Sequence, residues 1–386
     1  MATPTVDEVT GMLGAVIDPE LGSDIVTLGM VRKVTVDPDG TVGVTVALTT
    51  SGCPLRAQIQ RDVRERIGSL PGVSSVKIHW SELTAEEKAT TMSTARRIIS
   101  ERSPVTAIPP TTRVLMVASG KGGVGKSSVT VNLATALALQ GRGVGLIDAD
   151  IWGFSVPRMT GVGGRLEADE RSGRIAPRVV PVGDGELRIV SMGFLVDDEE
   201  RALMWRGLIL QRAVRHFLED VDWGHDLDYL LIDMPPGTGD VQMGLAKMLP
   251  RAEMLVVTTP SLSAQKVAAR AVSMARQNYL RVIGVIENMS AFVAPDGSRH
   301  EIFGSGGGER LAATIGAPLL ARIPIEAAVA AGGDEGRPAA LSSGVASDVF
   351  ARLASDIATE LAPPIEMAGC SAIKLALLRN QVAKSA

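Results

Sequence analysis

Cysteine is almost missing: the 386 residues contain two, Cys53 and Cys370, far apart in the chain. That count gives no disulfide framework, and a reducing, cytoplasmic setting is expected. Aromatic residues are scarce at 3%, which leaves the core to small aliphatic side chains that let helices lie close on a parallel sheet. No apolar run approaches the roughly 18 residues that a membrane crossing needs. The opening Met-Ala-Thr-Pro-Thr is followed by acidic residues, so no secretory leader is expected. Neither sign of charge dominates. A net charge of −4 lacks the basic excess that binding to a phosphate backbone draws on, and no nucleic-acid partner is expected.

What the chain does have suits two domains. Its length exceeds one average domain, and 45% apolar residues are ample for a large core. Val6 to Ile17 has helical spacing. Val31–Val36 and Thr41–Leu48 flank an Asp37-Pro38-Asp39-Gly40 turn, which predicts a hairpin. Pro54 opens a second helix through Ile67, and a strand follows from Val73 to near Trp80. Residues 1–83 therefore form a small α+β domain. Residues 84–110 are polar and partly helical, with Glu86, Glu87, Lys88, Arg96 and Arg97, and are broken by Pro104, Pro109 and Pro110. This stretch reads as an interdomain linker.

From Arg113 the pattern changes to continuous apolar strands alternating with helices: 114–118, 144–148, 229–233, 254–258 and 282–286, with the first helix over 127–140. Such strands belong to a mostly parallel sheet covered on both faces. The α/β domain spans 111–362, and a tail of 363–386 follows. Ligands of these sheets bind at the carboxyl ends of the strands.

Gly120-Lys121-Gly122-Gly123-Val124-Gly125-Lys126-Ser127 fits G-x-x-x-x-G-K-[ST] between a strand and a helix, the setting a phosphate loop requires. Its glycines let backbone N–H groups turn towards phosphate oxygens, and the helix N-terminus adds positive charge. Lys126 is expected on the β- and γ-phosphates of ATP, Ser127 on Mg²⁺, and Ser128 beside them. Lys121 is unusual, because a second lysine here does not easily reach the phosphates of its own subunit.

This arrangement resembles the deviant Walker A P-loop family, which includes MinD, ParA, the nitrogenase iron protein and the Mrp group. The resemblance implies an ATP-sandwich homodimer in which Lys121 reaches the partner's nucleotide. It implies a switch at Asp148-Ala149-Asp150, with Asp150 orienting the attacking water and Asp148 in or behind the Mg²⁺ shell. By the same resemblance, Asp233 is expected at the Walker B position on Mg²⁺, Gly237 to Asp240 as a candidate second switch, and Asn288 at the adenine edge. Lys121, Lys126 and Asp150 are then the catalytic set.

Within that family, Asp148-Ala149-Asp150-Ile151-Trp152-Gly153-Phe154-Ser155-Val156-Pro157, Asp233-Met234-Pro235-Pro236-Gly237-Thr238-Gly239-Asp240, Glu287-Asn288-Met289-Ser290 and Phe303-Gly304-Ser305-Gly306-Gly307-Gly308 resemble the Mrp/ApbC iron–sulfur cluster carriers. Asp18-Pro19-Glu20, Thr27-Leu28-Gly29 and Thr50-Ser51-Gly52-Cys53-Pro54 resemble the SufT-like iron–sulfur assembly domain. Together they imply an ATPase that binds clusters and passes them to apoproteins, with assembly factors as further partners. Many Mrp proteins carry C-P-x-C after Asn-Met-Ser, whose thiolates hold a [4Fe–4S] cluster across the dimer. Ala294 and Gly297 stand there in this chain, and Asp296-Gly297 reads as a tight turn.

Cys53 and Cys370 are the substitute ligand candidates, with His300 a third. Two alternatives stay open: a MinD/ParA-like switch that controls partner or surface binding without a cluster, and a reductase like the nitrogenase iron protein. The latter lacks a cysteine pair in the nucleotide domain. Residues 373–382 have few large apolar side chains, and packing on the protein's own surface is expected in preference to a membrane.

Overall fold

A computed structural model describes residues 3–18, 21, 23–48, 56–101, 106–150, 153–169, 172–195, 207–278, 280–294 and 296–365. They fall into two units that divide after residue 103.

In the first unit, helix α1 (Val6–Leu13) starts at a capping box. Thr5 Oγ1 accepts the Glu8 N–H at 3.2 Å, and Glu8 accepts the Thr5 N–H at 2.8 Å. The helix ends at Gly14, short of the expected Ile17, because glycine weakens it and Ile17–Asp18 pairs instead with Ser23–Asp24. Strands β1 (Val31–Val36) and β2 (Thr41–Leu48) make the expected hairpin. Helix α2 (Arg56–Gly68) returns the chain to β3 (Ser75–Glu82), which lies parallel to β2. Ile59, Val63 and Ile67 share one buried face of α2, as Val42, Val44 and Val46 do on β2.

The stretch 84–110, expected as a linker, holds a 17-residue helix, α3 (Ala85–Glu101), that belongs to this unit. Thr91 Oγ1 donates to the Leu28 carbonyl at 3.0 Å, and Ala95 and Ile98 are buried on the same face. A stripe that narrow leaves the helix polar overall, which is why composition alone suggests a tether.

The second unit is built on one eight-stranded sheet. Its strands are β4 (Arg113–Ser119), β5 (Gly143–Asp148), β6 (Arg178–Val182), β7 (Gly185–Ser191), β8 (Tyr229–Asp233), β9 (Glu253–Thr258), β10 (Arg281–Glu287) and β11 (Leu319–Arg322). They lie in the order β6-β7-β5-β8-β4-β9-β10-β11. Every neighbouring pair is parallel except β6 and β7. The mostly parallel α/β architecture is thus present. Val114 and Met116 of β4 join one core with Phe217, Trp223 and Ile232, while Leu115 and Val117 join the other with Leu133, Leu231 and Phe350. Burial on both faces explains the unbroken apolar strands. Helix α4 (Lys126–Leu139) is buried nearly all round because the helix Val345–Asp356 packs on its outer side.

Register then sets the level of the site. Asp148 is paired with Asp233 across β5 and β8, and Asp233 with Val117 across β8 and β4. The loops after β4, β5 and β8 therefore leave the sheet together. Strands β6, β7 and β11 are not marked by the sequence pattern, and β7 places Ser191 opposite Asp148.

Candidate functional site

The loop after β4 can begin only with glycine, because a Cβ on Gly120 would strike the backbone of Val267 and Ala268 in the helix Leu262–Gln277. It ends at Gly125, whose φ of +79° suits glycine and which leads directly into α4. A cavity of about 490 Å³ opens over the loop. Lys121, Gly122, Gly123, Gly125, Lys126, Ser127 and Ser128 line one part of it; Asp150, Gly153, Ser155, Arg158, Met159 and Pro236 line another. The α4 N-terminus and three cationic side chains thus share one concave surface, a setting for a polyanion.

Behind it lies a cluster of buried charge. Lys126 is 5% exposed, with its ammonium 2.6 Å from Asp233 Oδ1 and 3.7 Å from Asp150 Oδ2. Asp233 is fully buried and also accepts the Ser127 hydroxyl at 2.5 Å and the Thr130 hydroxyl at 3.0 Å. Without these donors a carboxylate at this depth would be strongly destabilising.

Asp148, expected in or behind a Mg²⁺ shell, has protein groups around its carboxylate. It accepts the N–H groups of Asp150, Ser155 and Val156 at 3.2, 3.1 and 3.2 Å, and the Ser191 hydroxyl at 3.0 Å. Burial, and next the Asp233 charge, push its pKa up to about 7. Its position fixes the segment that brings Asp150 towards Lys126.

Asn288, expected at the adenine edge, is not among the residues lining the cavity. Its Nδ2 donates to the Val124 carbonyl at 2.9 Å. Lys121 lines the cavity, and its ammonium donates to Ser263 Oγ at 3.2 Å. In the second candidate switch, the Gly237 N–H donates to the Ser119 carbonyl at 3.2 Å, and the helix Asp240–Met248 begins just beyond.

Thr130, Arg158, Ser191 and Ser263 are absent from the sequence reading. Thr130 carried a usable signal, since four residues after Lys126 on a helix is the same face. Ser191 carried none, because its role depends on β7 lying beside β5.

The segment at the family's cysteine positions is a short hairpin, Phe292–Val293 against Arg299–His300. Gly297 has φ +84° and its N–H donates to the Ala294 carbonyl at 2.9 Å, so the expected turn is present. His300 Nε2 lies 2.9 Å from Ser298 Oγ. Ala294 and Gly297 offer no ligating side-chain atom, and among the described residues no group of three His, Cys, Asp or Glu side chains could hold a metal ion. Cys53, Cys370 and the tail segment 373–382 lie outside the described residues. Among the described residues, no helix is long and apolar enough to cross a membrane.

Comparison with known proteins adds to this geometry. The family described as NUBPL iron-transfer P-loop NTPase matches residues 110–361, and the family described as iron–sulfur cluster assembly protein matches residues 6–80. The chain is 44% identical over 338 residues to the iron–sulfur cluster carrier protein of Mycobacterium tuberculosis, covering 86% of this chain and 87% of that one. It is 39% identical over 322 residues to the protein of the same description from Bacillus subtilis, covering 83% and 88%. Among solved structures, a nucleotide-binding protein from Archaeoglobus fulgidus in complex with ADP superposes with a TM-score of 0.51 at 32% identity. That match covers 64% of this chain and 94% of the other.

Proposed function

Because the chain belongs to the NUBPL iron-transfer P-loop NTPases, we propose that it is an ATPase that carries iron–sulfur clusters and passes them to apoproteins. The observation that carries this reading is the union, in one chain, of an iron-transfer NTPase region at 110–361 and an iron–sulfur assembly region at 6–80. Carrier proteins similar over more than four-fifths of the chain support the same cargo.

In the proposed reaction the triphosphate seats over Gly122 to Ser128. The Lys126 ammonium exchanges its pairing with Asp233 for the β- and γ-phosphate oxygens, where its charge offsets the charge of the transition state. Asp150, in the same cavity, accepts a hydrogen bond from the attacking water and directs its lone pair at the γ-phosphorus. Catalysis here is positioning and charge stabilisation.

Ser127 Oγ and Asp233 Oδ2 converge to 2.5 Å, a hard-oxygen pair of the kind Mg²⁺ takes together with phosphate oxygens and water. These two residues would hold the ion, which when bound spreads the charge of the β- and γ-phosphates. Lys121, at the cavity and held by a neutral hydroxyl, would turn to the nucleotide of a second copy in a homodimer. The cluster is cargo, with Cys53 and Cys370 as its proposed ligands in the cytoplasm. Recipient apoproteins and assembly factors are the proposed partners.

Anaerobic reconstitution of the full chain with iron and sulfide tests this. A brown, oxygen-sensitive product containing iron and acid-labile sulfide is expected, with both contents reduced in Cys53→Ala and Cys370→Ala. No cluster in the wild type, together with ATP-dependent association with liposomes or DNA, would favour the nucleotide-switch reading, which the residues at 294 and 297 support.

A further inference from the structure

We propose that Asn288 is a positioning residue of the phosphate loop: by holding the Val124 carbonyl it aims the Gly125 N–H at the phosphates, whatever base the nucleotide carries. The inference rests on the reading of this loop as a nucleotide site. Asn288 Nδ2 donates to Val124 O at 2.9 Å, and both residues are buried. The described peptide bonds are all trans. In a planar trans peptide the C=O and the following N–H point in opposite directions. With the Val124 carbonyl drawn to Asn288, the Gly125 N–H must face away from it. Gly125 lines the cavity and Asn288 does not, so that direction suits a phosphate oxygen.

The fit is close enough to constrain both sides. A Cβ on Gly125 would run into Asn288 Nδ2, so the glycine and the carboxamide are matched in shape as well as by the hydrogen bond.

Asn288 can act this way because it is itself fixed. Its N–H donates to the Thr258 carbonyl at 2.8 Å. On one side the Glu287 carbonyl accepts the Ile323 N–H at 2.8 Å, and the Glu287 carboxylate accepts the Gly308 N–H at the start of the helix Gly307–Ile315. On the other, the Ser290 N–H and hydroxyl both donate to the Ile323 carbonyl, at 2.9 and 3.0 Å. Between them Met289 adopts φ +55°, a conformation non-glycine residues seldom take without such anchors. The motif Glu287-Asn288-Met289-Ser290 is therefore a strut tied to three neighbouring segments, with one carboxamide directed at the loop.

Calorimetric titration of the full-length wild type, Asn288→Ala and Asn288→Asp with ATP, GTP and inorganic tripolyphosphate tests the proposal. All three ligands should weaken by a similar factor, about 10-fold, the size expected when one backbone N–H no longer reaches a charged phosphate oxygen. Asn288→Asp keeps the size and removes the donor, so it should weaken binding at least as much. Loss confined to ATP, with tripolyphosphate unaffected, would overturn the proposal in favour of base reading. A role in folding alone would lower the thermal midpoint and leave the affinity of the folded fraction unchanged, which also overturns it. Lys126→Ala separates the two layers: if the wild type binds all three ligands and this variant none, the nucleotide site stands whatever Asn288 does. A wild type that binds no ligand defeats both.

Discussion

Two loop regions at the carboxyl edge of the large sheet are built in opposite ways. The phosphate-loop end is made of buried charge, and its partners come from distant parts of the chain: Lys126 and Asp233 are 107 residues apart in sequence. The hairpin after β10 is largely exposed, and its turn is closed by neighbours, Ala294 with Ser298 and Gly297 with Ala294. Changing one member of the first set leaves another charge stranded in the interior. Changing a side chain of the second leaves the turn intact as long as the backbone can still make it. Alanine and glycine can therefore occupy the cysteine positions of the family pattern while the loop keeps its shape.

Asp233→Ala should separate the two regions most sharply. It leaves Lys126 buried beside a single carboxylate at 3.7 Å, and a loss of about 3–5 kcal/mol in urea unfolding is expected. A loss below about 1 kcal/mol would place the two regions on the same footing. Asp150→Asn should lower the rate of ATP hydrolysis about 100-fold and leave ATP affinity near wild type, read by steady-state kinetics alongside calorimetry. Equal losses in both would assign Asp150 to binding instead.

Asp148 supplies a pH signature. Its folded pKa of about 7 exceeds its ordinary 3.8, so its contribution to stability is full below about pH 4 and is lost as the pH rises to about 7. Asp148→Asn should flatten that decline in pH-dependent denaturation, and an unchanged slope would assign it to another group. In the hairpin, Gly297→Ala should cost about 1 kcal/mol because of its positive φ, and Ala294→Ser should stay within about 0.5 kcal/mol, both by thermal unfolding.

The same contrast governs what could be read from the sequence. The apolar strands and the glycine loop are local signals, and β4, β5, β8, β9 and β10 lie within a residue or so of where the pattern puts them. Short stripes and long-range pairings are not local. The docking of α3 depends on Thr91, Ala95 and Ile98 meeting the rest of their unit, which a polar composition hides. The insertion of β7 beside β5, and with it the Ser191 bond to Asp148, depends on register between separate segments. Asp148 and Asn288 were legible as residues near the phosphate loop because their motifs mark them. Their contacts with backbone groups were not, since those follow from how loops on neighbouring strands meet.

On the proposed reading, nucleotide binds at the loop from Gly120 to Ser127, with Lys126 at its end. Calorimetric titration of Lys126→Ala with ATP, set against the wild type, tests it most directly. Loss of tight binding is the predicted result, and an affinity equal to the wild type would contradict it.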